Sequence, residues 1–172
     1  PHPPVWVAST SLDGFIADDQ DSLAWLFVQE QDEKGPLTYD EFFARVGALV
    51  MGSSTYEWLL THQPGDWMYS QPTWVLTRRP QIVADGHPVI VFSGEVTELH
   101  PHLVRAAGDR EVGGGDTAAQ CVAAGLVDEM IVSYAPCSLG AGAPVLPLRS
   151  EWALVESGVN GDFVCARWSF IR

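Results

Sequence analysis

Short apolar runs, separated by turn residues and by segments of helical period, organise this chain. Val5-Trp6-Val7-Ala8-Ser9 is a β-prone run that stops at Ser11-Leu12-Asp13-Gly14, so a strand feeding a functional loop is expected. From Thr38 a helix N-cap candidate precedes acids in a first turn and apolar Phe42, Phe43 and Val46, which predicts a helix. Ala48-Leu49-Val50-Met51 reads as a buried strand, and Gly52-Ser53-Ser54-Thr55 opens a second helix running toward His62. Thr73 to Thr77 and Pro88 to Phe92 suit strands buried on both faces. Glu95 to Ala107 reads as a helix flawed by Pro101. Glu111-Val112 then leads through Gly113-Gly114-Gly115 into a small-residue helix, Asp116 to Ala124, ended by Gly125. Val127 to Ala135 is the next strand. Trp152 to Glu156 and Phe163 to Ile171 form a hairpin joined through a loop with Asn160-Gly161. The order is α/β first and antiparallel β last, with no internal repeat or linker.

Composition narrows the class. A chain of 172 residues with 47% hydrophobic and 18% charged residues is globular and large enough for one domain, 1–172. It buries roughly 70% of its unfolded surface, so no metal or disulfide is needed for stability. Nine basic against 22 acidic residues give a net charge of −13, which repels nucleic acid and anionic membranes. Cys121, Cys137 and Cys165 are odd in number and form no C-x-x-C pair, so buried thiols are expected. The histidines are scattered, and His100-Pro101-His102 lacks metal-pair spacing, so no metal is expected. No apolar run opens the chain as a secretory leader would, and Met130 to Leu148 is broken by three prolines and two glycines, so a cytoplasmic protein without a membrane span is expected.

In so acidic a chain an anionic ligand has to be held by the few arginines or by N–H groups at helix N-termini. Gly52-Ser53-Ser54-Thr55 and Gly113-Gly114-Gly115-Asp116-Thr117 both put glycine and hydroxyl residues between a strand and a helix, although glycine there also serves packing alone. Gly113-x-Gly115-x-x-Ala118 satisfies a dinucleotide fingerprint, but it lies late in the chain and no acid follows at about 20 residues, which disfavours a standard Rossmann domain. Thr77-Arg78-Arg79 follows a strand and carries the only adjacent arginine pair, suited to a ribose 2′-phosphate or simply to solvated charge balance.

Taken together, Val7-Ala8, Ser11 to Ala17, Met51 to Glu57, Thr77-Arg78, Gly113-Gly114-Gly115, Gly125 to Glu129 and Pro136 with Gly140 resemble, in order along nearly the whole chain, the dihydrofolate-reductase-like superfamily. The resemblance is to its branch containing the C-terminal reductase domain of riboflavin-biosynthesis deaminase-reductases. It implies an α/β fold, a mixed, mostly parallel sheet flanked by helices with a C-terminal antiparallel hairpin, and a homodimeric NADPH-dependent reductase. On the family's pattern Ala8 and the loop Gly14, Phe15 and Ile16 border the nicotinamide. Gly52, Ser53, Ser54 and Thr55 meet phosphates. Thr77, Arg78 and Arg79 take the 2′-phosphate side, and Gly113, Gly114, Gly115, Asp116 and Thr117 the pyrophosphate.

The substrate side departs from both well-known reductases. Ser22 stands where dihydrofolate reductases begin their substrate helix with an acid, and Asp21 is adjacent but turned by about 100° if the helix includes it. Tyr56-Glu57-Trp58-Leu59-Leu60 replaces the doubled acid, proline and basic residue of the riboflavin-pathway enzymes, and Val7 replaces a basic residue. The zinc deaminase signature is missing. The expected activity is hydride transfer to a small heterocyclic or carbonyl substrate near Asp13, Phe15, Ser22 and Trp25, with Asp13 or Asp21 as proton source. For Asp13 the competing reading is a turn carboxylate capping its own backbone. Trp58, Trp67 and Trp74 are expected in the core, and Tyr56, next to the phosphate turn, is suited equally to touching ligand or to packing. The alternatives to a reductase are an NADP-binding sensor or scaffold without turnover and a flavin-nucleotide-binding module.

Overall fold

The computed structural model describes residues 4–114 and 117–172. In chain order its elements are β1 (Val5–Thr10), β2 (Phe15–Ala17), α1 (Ala24–Phe27), α2 (Tyr39–Arg45), β3 (Val46–Gly52), α3 (Ser53–His62), β4 (Thr73–Leu76), β5 (Val89–Phe92), α4 (Val96–Ala107), β6 (Glu111–Gly114), α5 (Ala118–Ala123), β7 (Glu129–Tyr134), β8 (Ala143–Pro144), β9 (Trp152–Asn160) and β10 (Phe163–Phe170). Among the described residues one sheet has the strand order β5-β4-β3-β6-β1-β7-β10-β9, and β2 and β8 make a separate two-stranded ribbon. Pairing is parallel from β5 through β7 and antiparallel across β10 and β9.

Alternation along the central strands sorts side chains to two faces. Val5, Val46, Leu49 and Ile131 pack with Phe42 of α2 and Phe163, while Trp6, Ala48, Val50 and Met130 pack with Leu99 and Leu103 of α4 and with Cys121 and Val122 of α5. Val46 and Ala48 face opposite sides although two residues apart. A bulge allows this, because Val46 pairs with Glu111 and Ala48 with Val112, leaving Gly47 as the extra residue. A Cβ on Gly47 would lie 2.5 Å from the Ala107 carbonyl oxygen, so the glycine also lets the end of α4 reach the sheet.

β6 carries almost no side chains where it crosses the centre. A Cβ on Gly114 would sit 2.1 Å from the Trp6 indole, and one on Gly113 would sit 2.7 Å from the Phe42 ring. Trp6, which is 2% exposed, fills the space a side chain on β6 would need. These two glycines are therefore fixed by packing, the alternative left open by their sequence.

The helix expected around Pro101 stands, and three other expectations change. Pro101 does not break its helix: α4 runs intact, with the capping box Glu95/Glu98 at its start and Val96, Leu99, Leu103 and Ala107 buried in a stripe. Pro101 and Thr97, whose carbonyl loses a partner, are both exposed, so the break in the ladder falls on the solvent side of α4. β5 is an edge strand with Ile90 47% exposed and is not buried on both faces. Cys137 is only half-buried, while Cys121 and Cys165 are buried; all three are thiols. Asn160 belongs to β9, and the turn of the hairpin is Gly161-Asp162. The Asn160 side chain, 2% exposed, accepts from Asp32 N–H (2.7 Å) and donates to the Asp32 carbonyl (3.0 Å), so the hairpin tip clamps the 30–36 segment. The apolar hairpin residues complete the sheet, with Phe163 buried and Trp168 and Phe170 half-buried.

The loop after β1 is held by Asp13. Its carboxylate accepts from Ser11 Oγ (2.6 Å), Leu139 N–H (3.0 Å) and Gly140 N–H (2.7 Å), and the Ser11 hydroxyl in turn accepts from Phe15 N–H (3.0 Å). These donors, the Ser11 hydroxyl first, pull the Asp13 carboxyl from 3.8 to about 2. Asp13 therefore ties the β1–β2 loop to the segment before β8, and Val145 N–H to the Gly14 carbonyl (2.9 Å) continues the seam. A carboxyl so placed is ionised at neutral pH and surrounded by donors, which makes it a staple and leaves it no proton to give a substrate.

Two outcomes are expected. Gly114→Ala loses about 1–3 kcal/mol by overpacking against Trp6, and Trp6→Leu combined with Gly114→Ala loses clearly less than the two single changes together, measured as a double-mutant cycle of chemical denaturation; strict additivity would show that the two residues do not share the space. Because the Asp13 pKa is lower folded than unfolded, its contribution is complete above about pH 4 and disappears as pH falls through about 2. The melting-temperature gap between wild type and Asp13→Asn should then narrow steadily from pH 5 to pH 2, and a gap independent of pH would rule out the staple.

Candidate functional site

All the parallel strands end on one edge of the sheet, and β6 lies between β1 and β3 there. Connections depart on both sides of this point, which is where ligands bind in open α/β sheets. A cleft of about 650 Å³ opens at that edge. Its floor is Val7, Ala8 and Ser9 of β1, Leu49, Val50 and Met51 of β3 and Gly114 of β6; Ser54, Thr55, Glu57 and Trp58 of α3 form one wall. Ile16 and Ala17 of β2, Tyr39, Phe42 and Phe43 of α2, and Tyr69 enclose the rest, with Asp21 at the lining.

At one end the geometry suits an anion. α3 is ten residues long, and its N-cap, Gly52, supplies no side-chain hydrogen bond to the first turn. The N–H groups of that turn and the positive end of the helix dipole stand beside the Ser54 and Thr55 hydroxyls on the cleft wall. The register Gly52↔Leu76 sets Thr77 and Arg78 next to this turn. Arg78 is exposed and has no ion pair or hydrogen bond among the described residues. Arg79, expected to act with it, is instead paired with Glu57, and the Thr77 hydroxyl accepts from Arg79 N–H (3.1 Å). Thr117 Oγ1 is buried with no hydrogen-bond partner among the described residues. Gly115 and Asp116 lie outside the described residues.

The rest of the lining is aromatic and carries an acid. Tyr39, Phe43 and Tyr69 stack in series, with ring centroids 5.9 and 5.3 Å apart and planes within 22° and 27°. Desolvation, then the neighbouring Tyr39, pushes the Tyr69 phenol above its ordinary value, so it stays neutral. Trp58, expected in the core, stacks between Phe27 of α1 (5.7 Å) and His62 (4.3 Å) and faces the cleft. Trp25, expected in the pocket, instead turns into the α2-side core and donates from Nε1 to the Ser22 carbonyl (3.0 Å). No sequence signal separated these two tryptophans; only the positions of α1 and α3 do.

Of the remaining expected residues, Ala8, Ile16, Ser54, Thr55 and Gly114 line the cleft. Gly14 and Phe15 belong to the β2 side but are not part of the lining, which β2 enters with Ile16 and Ala17 across an irregular register. Gly113 is spent on packing, and Gly52, Ser53, Thr77, Arg78 and Arg79 lie around the rim without lining it. The expected helix start at Ser22 is a turn: Asp18 accepts from Gln20 and Ser22 N–H, and α1 begins only at Ala24. Asp21 consequently escapes the helical rotation that would turn it away. It takes φ +56°, a left-handed conformation unusual for a side-chain-bearing residue, and lines the cleft, whereas Ser22 accepts from Ala24 N–H. Among the described residues no group of three or more His, Cys, Asp or Glu is placed to hold a metal ion, and no helix is long and apolar enough to cross a membrane.

This architecture has relatives. An uncharacterized Bacillus subtilis protein, YwjB, is 27% identical over 95% of this chain and 94% of its own length. A crystal structure of a Shewanella sp. PV-4 protein provisionally assigned to riboflavin biosynthesis superimposes with a TM-score of 0.85 at 27% identity, covering 99% of this chain and 100% of the other. Dihydrofolate reductase from Enterococcus faecalis, solved with NADP(H) and RAB-propyl, matches with a TM-score of 0.64 at 16% identity, over 99% of this chain and 97% of its own. The sheet order and the closing hairpin are thus those of the dihydrofolate-reductase-like fold. Residues 5–154 match the RibD C-terminal domain family, and with the fold and cleft in agreement, the chain belongs to that family.

Proposed function

We propose that this chain is an NADPH-dependent reductase that transfers a hydride to a small, planar heterocyclic substrate. The observation that carries the reading is the start of α3 on the cleft wall with the Ser54 and Thr55 hydroxyls, and beside it Arg78, which has no ion pair among the described residues, in a chain of net charge −13. Support comes from the RibD C-terminal domain family and from the NADP(H) complex of the similarly folded Enterococcus enzyme. The residues fit such a cofactor. The α3 first turn with Ser54 and Thr55 would hold phosphate oxygens, Arg78 the 2′-phosphate, and the orphaned Thr117 hydroxyl would gain a partner.

When bound, NADPH supplies one hydride to the carbon of a substrate C=N or C=O bond and leaves as NADP+, while a proton completes the nitrogen or oxygen. The chain's own part is placement. Ala8 has too small a side chain to block approach to the floor, and Val7, Leu49, Val50 and Ile16 exclude water from the reacting faces. Asp21 brings a carboxylate to the lining that has no partner among the described residues, free to orient a water or pass a proton.

Titrating NADPH and NADH into the protein by tryptophan fluorescence tests the cofactor assignment. Arg78→Ala should weaken NADPH about tenfold, roughly 1.4 kcal/mol, and leave NADH unchanged, whereas Arg79→Ala should act less because its guanidinium already serves Glu57; failure of both dinucleotides to bind would end the reductase reading. Once a substrate is found, Asp21→Asn should lower turnover by about 10² while the NADPH dissociation constant stays the same, and unaltered turnover would remove Asp21 from proton handling.

A further inference from the structure

Resting on the reductase reading, the cleft also defines what kind of ring it accepts. We infer that its substrate is a planar ring, neutral or cationic, that carries no phosphate. Three observations on the cleft lining converge. Tyr39, Phe43 and Tyr69 bring a stack of three aromatic rings to it, a surface suited to contact with another ring. Among the described residues no lysine, arginine or histidine lines the cleft; its only charged residues are Asp21 and Glu57, and Glu57 is paired with Arg79. Asp21 therefore leaves the described lining with an unbalanced negative charge, with exposed Asp19 two residues away.

Away from the first turn of α3 and its hydroxyls, a phosphate on this lining would be desolvated against aromatic rings with no lining cation among the described residues to receive it and a carboxylate to repel it. Arg78 and Arg79 stand on the rim beside the start of α3, where the cofactor's own phosphates would belong. The neutral Tyr69 phenol adds a hydrogen-bonding group without charge, suited to a ring carbonyl or ring nitrogen. One cleft thus offers anion-receiving groups at the start of α3 and none elsewhere on its described lining.

Calorimetric titration of the NADP-saturated protein with two matched pairs, riboflavin against riboflavin 5′-phosphate and uridine against uridine 5′-monophosphate, tests this. At least one phosphate-free member should bind tenfold or more tightly than its phosphate. Asp21→Asn should shrink that ratio at least threefold, because it removes the repulsion, and Tyr69→Leu should weaken the phosphate-free ring fivefold or more while NADP binding and the melting temperature hold. Equal or tighter binding of the phosphates, or no binding by any ring, overturns the inference. NADP binding measured in the same titrations keeps the two readings apart: absent NADP affinity with the ring preference intact defeats the cofactor assignment alone, and NADP affinity without the preference defeats this inference alone.

Discussion

The Trp6 indole lying over Gly114 is the contact around which this molecule is arranged. β6 enters the sheet between β1 and β3, and with no side chain at Gly113 or Gly114 both faces of that strand are filled by its neighbours: Trp6 on one side, Phe42 and Val46 on the other. A close-packed interior leaves no slack at such a point. The same absence of side chains leaves the end of β6 as bare backbone on the cleft floor, between the ends of β1 and β3. Core packing and site construction are thus one constraint, met by two glycines.

Around that floor the fold distributes charge unevenly. The start of α3 and Arg78 gather the positive potential on one wall and its rim; Asp21 and the stacked aromatic rings make the rest of the described lining apolar and negative. Asp13 shows how geometry assigns roles among similar residues. It and Asp21 are both loop carboxylates on the same stretch of chain, yet Asp13 is consumed by three donors that stitch its loop to residues 139 and 140, and Asp21 is left facing the cleft. The left-handed backbone at Asp21 fits a position held for its direction, since strain of this kind persists where surrounding structure fixes it.

Much of this was legible from residues alone. Hydrophobic runs bounded by turn residues locate the central strands, because a strand buried on both faces must be apolar throughout. The glycine-hydroxyl turn at Gly52 to Thr55 marks a helix start at a strand end, and α3 begins at Ser53. Periodicity is silent about short elements whose pairing is distant, so β2, three residues long, and β8, two residues long, left no signal. It is equally silent about Pro101, whose tolerance depends on which face of α4 meets water.

By itself the sequence determined the α/β order, the closing hairpin, the acidic balance and the few positions able to meet an anion, since these follow from local pattern and composition. Tertiary structure alone decided that Trp58 and not Trp25 faces the cleft, that Arg79 is tied to Glu57 while Arg78 has no ion pair among the described residues, and that Asp21 rather than Ser22 or Asp13 lines the cleft. The reason is physical: side-chain direction and partner depend on residues up to 132 positions apart being brought within hydrogen-bond distance, and no local pattern encodes that.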